Sequence, residues 1–184
     1  MISDNVIADS TFYIYFLDDV NEVSLLLKIM EKFKFHIPPK IKEEIMRSTN
    51  FYQIENNKNL YLEKLPYDIK QILNPILSSN EKDKGDAEII FLIFHFLSLG
   101  KKFITIIDDD SLHNHIVKKL FPLFYSSDII NGLIKRTLNF LYECAMSYKI
   151  IDKKIVIETL QKTKDSKFRI RPDIIDGIIT KMGT

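Results

Sequence analysis

Phe103-Ile104-Thr105-Ile106-Ile107-Asp108-Asp109-Asp110 decides the fold. A short, near-continuous apolar run is the mark of a parallel strand covered on both faces. It stops at three carboxylates, and an open α/β sheet keeps its functional site at the carboxyl ends of its strands. A shorter version opens the chain, Val6-Ile7-Ala8-Asp9. A third acidic cluster, Gly85-Asp86-Ala87-Glu88, stands ahead of the apolar stretch Ile89 to Leu99. If the strands ending at Asp9 and Asp108 are parallel neighbours, about 4.8 Å apart, their acids lie roughly 5–10 Å from each other. Carboxylates converging on one crevice repel each other unless a cation sits between them. The pattern therefore points to a divalent-metal site and to hydrolytic chemistry.

The rest of the chain alternates between short strands and helices. Thr11 to Leu17 continues the first strand as a turn into helix. Val23, Leu26, Leu27, Met30 and Phe33 share one face of a helix within Asn21 to Lys34. Phe35-His36-Ile37 reads as a second strand, and Pro38-Pro39 suits the first turn of a helix over Lys40 to Arg47. Residues 51–65 and 67–77 read as helices broken near Pro66 and Pro75, and 78–84 as a polar loop. Asp86 to Leu99 reads as a central helix that Gly100 closes. Helices are expected over Ser111–Leu120, Ile129–Tyr148, Lys153–Thr163 and Asp173–Met182, with a short strand at Leu123-Phe124-Tyr125. The alternation predicts an α/β fold with a small parallel sheet.

Composition narrows the function. The 184 residues suffice for one domain with a real core. Lys and Arg total 26 against 25 Asp and Glu, so no whole-molecule field holds nucleic acid, and a local basic patch must do so. Cys144 is the one cysteine, which excludes an intrachain disulfide and cysteine zinc sites. The polar start Met1-Ile-Ser-Asp-Asn is unlike a signal peptide, and Ile89 to Leu99 is too short to span a bilayer. A cytoplasmic protein without membrane contact is expected. Five glycines leave no Walker or dinucleotide loop, and no GxSxG elbow occurs.

The acids admit both plain and functional roles. Asp86 and Asp110 suit N-caps, and Glu43 and Glu44 suit a solvated helix face. Asp9 is harder to set aside, because a buried carboxylate needs a partner. His113 and His115, two apart on a helix, point to different faces and do not form a metal pair; His36 and His95 read as structural. Mg²⁺ takes oxygen ligands, a few carboxylates and several waters, and activates water for displacement at phosphorus. Lys118, Lys119, Lys135, Arg136, Arg169 and Arg171 are the candidate guides for a phosphate backbone, each also an ordinary solvated charge.

The order of these motifs resembles that of PIN domains. Val6-Ile7-Ala8-Asp9-Ser10-Thr11 resembles their opening strand, and Ile37-Pro38-Pro39-Lys40-Ile41-Lys42-Glu43-Glu44-Ile45 their second strand and following helix, with Glu44 at the acid position. Gly85-Asp86-Ala87-Glu88 resembles the Gly-Glu-x-Glu helix start of one branch, and Ile106-Ile107-Asp108-Asp109-Asp110 the next strand and acids. Asn131-Gly132-Leu133-Ile134 and Phe168-Arg169-Ile170-Arg171-Pro172-Asp173 resemble the branch's Gly-Leu-Leu step and last turn. The resemblance implies a three-layer sandwich, with a PIN-like domain over 1–150 and a helical extension over 151–184 packed on it. It implies a Mg²⁺- or Mn²⁺-dependent ribonuclease acting on RNA, often a toxin held by a small antitoxin, and often a homodimer. Asp9, Glu44, Asp86 or Glu88, and Asp109 would form the metal site, supported by the Ser10 or Thr11 hydroxyl. Ile107 stands where the family often has Thr or Ser, Ser126-Ser127-Asp128 replaces a Gly-Thr step, and 50–80 matches no motif. These departures keep open a PIN-like binding module without turnover. A receiver-like signalling domain beginning near Phe103 is a further alternative.

Overall fold

A computed structural model describes residues 4–65, 84–123 and 133–183. Strands β1 (Asn5–Ala8), β2 (Lys34–Ile37), β3 (Leu60–Leu62), β4 (Ile104–Ile106) and β5 (Ile134–Lys135) form one sheet in the order β3-β2-β1-β4-β5. Every pairing is parallel. The helices are α1 (Ser10–Ile14), α2 (Val23–Met30), α3 (Pro39–Ile45), α4 (Lys84–Ser98), α5 (Asp110–His115), α6 (Thr137–Met146), α7 (Lys153–Lys164) and α8 (Pro172–Gly183).

The pleat assigns the layers. Val6 pairs with Phe35 and Ile104, while Ile7 pairs with His36 and Thr105, so these two sets occupy opposite faces. On the first face the Phe35 ring lies 5.5 Å from Phe12 of α1, which in turn meets Phe140 of α6 at 6.1 Å. On the other face His36 meets Phe96 of α4 at 4.7 Å. Helices thus cover both faces, giving a three-layer sandwich. Val6, Ile7, Ala8 and Ile106 are wholly buried. Burying each large apolar side chain contributes about 1.5–3 kcal/mol, and this explains why the strands that end in acids are mainly apolar, Asn5 and Thr105 being the exceptions.

The helix ends follow local chemistry. Gly100 has φ +62° and closes α4, where Lys101 N–H donates to the Phe96 carbonyl and Gly100 N–H to that of Leu97. This is the two-bond glycine stop expected from the sequence. Helices α7 and α8 pack against α6, and the Tyr15 hydroxyl lies 2.7 Å from that of Thr163. No helix among the described residues is long and apolar enough to cross a membrane.

Several expectations need correction. Residues 51–65 are not helical: a single 3₁₀ turn, Phe51–Gln53, precedes strand β3. Asn57 Oδ1 accepts the Asn59 N–H in a side-chain turn, and the β2 edge then supplies partners for the chain on either side of Leu60–Leu62. The helix expected from Ile129 instead begins at Thr137, with strand β5 before it; 129–132 lie outside the described residues. Leu123 closes a 3₁₀ turn rather than starting a strand, and Phe124 and Tyr125 are outside the described residues. So are 66–83, where a second broken helix and most of a polar loop were expected. The acidic run at Asp108 follows a strand flanked by β1 and β5, in a sheet that upstream strands already build. It does not open a separate receiver-like domain.

Candidate acidic site at the sheet switch point

The strand order reverses between β1 and β4, since β1 continues to β2 on one side while β4 continues to β5 on the other. A crevice opens at the carboxyl end of such a switch point. Asp9 follows β1 directly and Asp108 stands two residues beyond β4, so both acids reach this place.

Asp9 is 5% exposed and serves first as the N-cap of α1, its Oδ1 accepting from Phe12 N–H at 3.0 Å. Its Oδ2 accepts from Asp108 N–H at 2.8 Å and, at 3.5 Å, from Asp109 N–H. The packing of Phe12 in the aromatic core fixes the turn that aims this carboxyl. Burial, and then the nearby Asp108 charge, raise the Asp9 carboxyl to about 7, against the pull of its three backbone N–H donors.

The Asp108 carboxylate accepts from Thr137 N–H at 3.0 Å and from the Thr137 hydroxyl. Arg136 donates to the Asp108 carbonyl and, at 2.6 Å, to the Asp110 carboxylate. Burial raises the Asp108 carboxyl, while Thr137 and the Arg136 charge oppose the shift. The bond from Asp108 to the first helical N–H of α6 also explains why that helix starts at Thr137. Thr137 escaped notice in the sequence because the helix expected from Ile129 encloses it, and Arg136 was singled out there only as a guide for a phosphate backbone. The signal was a hydroxyl residue ahead of an apolar helical run.

The other acids divide into separate neighbourhoods. Asp109 is exposed and caps α5, accepting from Leu112 N–H at 2.8 Å. The cap expected at Asp110 therefore falls one residue earlier, and Asp110 instead pairs with Arg136. Glu88 is 1% exposed, and its Oε2 accepts from Lys40 N–H at 2.7 Å. This satisfies the first N–H of α3, since Pro39 has none. Glu44 approaches the start of α4 closely. A Cβ added at Gly85 would stand 3.3 Å from Glu44 Oε1, so the glycine permits this contact. Asp86 lies half-buried in the first turn of α4. Glu44 also lines a cleft of about 530 Å³ with Ser10, Asp18, Lys40, Arg47 and Ser48. Ser10 connects this cleft to the Asp9 corner. Asp18, which accepts from the Ser48 hydroxyl at 2.6 Å, carried no sequence signal.

Among the described residues no three His, Cys, Asp or Glu side chains form a metal-holding group. The described acids therefore do not make one closed cage from Asp9, Glu44, Asp86 or Glu88, and Asp109. They do offer the buried Asp9 and, beside it, the half-buried Asp108, whose charge raises the proton affinity of Asp9. A carboxylate has about four lone-pair positions, so those already bonded to N–H or O–H groups keep capacity. Two carboxylates plus waters suit Mg²⁺ or Mn²⁺. No family model, no curated protein and no solved structure matches the chain.

Proposed function

We propose that the protein is a PIN-like, Mg²⁺- or Mn²⁺-dependent endoribonuclease that hydrolyses RNA phosphodiester bonds. The observation that carries this is the buried Asp9 beside the half-buried Asp108 at the switch point of an all-parallel β3-β2-β1-β4-β5 sheet. Two like charges held together in a crevice are stabilised by a divalent cation. Asp9 and Asp108 would hold it, with Asp109 at the rim and Glu44 reached through the Ser10 cleft. The ion would supply a water activated for attack at phosphorus. The chain's own contribution is orientation. Thr137 holds the Asp108 carboxylate, three backbone N–H groups hold that of Asp9, and Arg136 places a cation beside Asp108.

The test is Mn²⁺ titration by calorimetry on the wild type and on Asp9→Asn, followed by cleavage of an RNA pool. Metal binding and RNA cleavage that both disappear in the variant are expected; cleavage that survives Asp9→Asn sinks the proposal. A PIN-like binding module without turnover is the second reading. It is favoured by the fact that the oxygens of both Asp9 and Asp108 already bond to protein donors. Metal binding without cleavage, or no metal binding, would select it. Toxin action with a small antitoxin partner extends the first reading; growth arrest on expression, relieved by a neighbouring gene product, is its test.

A further inference from the structure

A second cleft, about 500 Å³ in volume, opens beside Asp108 where the start of α6 meets the α7–α8 connection. Its cations are Arg136, Arg169 and Arg171. Arg136 is anchored by Asp108 and Asp110. Arg169 is exposed and has no ion pair among the described residues. Arg171 pairs at 3.1 Å with Asp173, but both side chains are mostly exposed, and such a pair contributes little. Both arginines are thus available to a ligand. The apolar wall is Phe168, whose ring is braced by Tyr15 at 4.9 Å, together with the exposed Ile174.

Cations alone would suit any anion. Cations beside a rigid aromatic and aliphatic wall suit a nucleotide, which carries a phosphate and a flat base. The volume is that of a small-molecule site, which admits a nucleotide and excludes a duplex. Asp108 belongs to both this cleft and the acidic pair, so a strand crossing the pair would enter here. Resting on the nuclease reading above, we propose that this cleft holds the nucleotide flanking the scissile bond of a single-stranded RNA. Arg169 and Arg171 contact its phosphates, and the Phe168 ring lies against a base.

The experiment is fluorescence anisotropy with a short labelled oligoribonucleotide of mixed sequence, in EDTA so that nothing is cut, across a salt series. Arg169→Ala/Arg171→Ala should bind roughly tenfold more weakly, with a log–log salt slope shallower by about 1.4. Phe168→Leu should weaken binding without changing the slope. Lys153→Ala/Lys154→Ala removes the same charge at the far end of α7, a helix about 18 Å long, and should bind as the wild type does. Equal affinity and slope in the arginine variant would overturn the proposal. So would equal weakening by the lysine variant, equal competition by polyglutamate, or no binding by the wild type. RNA bound through these arginines but not cut in Mn²⁺ supports this proposal and refutes the nuclease. RNA cut by the arginine variant with an unchanged KM does the reverse.

Discussion

Metal binding should compete with a proton on Asp9. Burial and the Asp108 charge place its carboxyl at about 7 instead of 3.8. It is then about nine-tenths protonated at pH 6 and about one-tenth at pH 8. A cation that needs the carboxylate must displace that proton, so the Mn²⁺ Kd should be about tenfold higher at pH 6 than at pH 8, or ~1.4 kcal/mol. Near pH 7 each bound ion should release about half a proton. Calorimetry at pH 6, 7 and 8, in two buffers of different ionisation enthalpy, reads both quantities. An aspartate at its ordinary value would show neither effect, because it is ionised throughout this range. His36 and His113 are held below their usual value by burial. A Kd that stays flat from pH 6 to 8, with no proton released, would refute the assignment of a raised, metal-competent Asp9.

Without metal, the same shift makes stability fall with rising pH. A carboxyl raised on folding keeps its proton in the native state, so stability is full below about pH 4 and declines through about pH 7, by ~4 kcal/mol from Asp9. Urea midpoints in EDTA check this, and saturating Mn²⁺ should flatten the upper part of the profile. Thr137→Val removes the hydroxyl from Asp108 at nearly constant volume, and should cost about 1–3 kcal/mol by denaturant titration above neutrality. Glu88→Leu strands the Lys40 N–H and should cost about 1–3 kcal/mol, while Glu88→Gln keeps an acceptor and should cost little. Loss of nuclease activity in the stable Gln variant would assign Glu88 a role in the metal site; retained activity would make it a cap for α3.

Strands β1, β2 and β4, the stop at Gly100 and the acids following β1 and β4 were legible because each rests on neighbours in sequence. A run such as Val6 to Ala8 or Ile104 to Ile106 has a period and a punctuation that can be read without knowing its partners. Strand β3, Leu60–Leu62, is mostly exposed and β5 spans two residues, so neither forms the buried apolar run ending in acids that marks β1 and β4. They are strands because β2 and β4 offer them open hydrogen-bonding edges.

The sequence by itself determined that acids would stand at the carboxyl end of a small parallel sheet. Only the tertiary structure decided which acids meet. Asp109 turned outward to cap α5, while Asp108 turned inward to Thr137 and lies beside Asp9. Adjacent residues of identical type carry no local difference to read. What separates them is the direction in which the chain leaves β4. That direction depends on a backbone N–H donating to a carboxylate ninety-nine positions earlier and on a helix start twenty-nine positions later. Contacts at such separations arise when the sheet closes, and no window of sequence contains both ends.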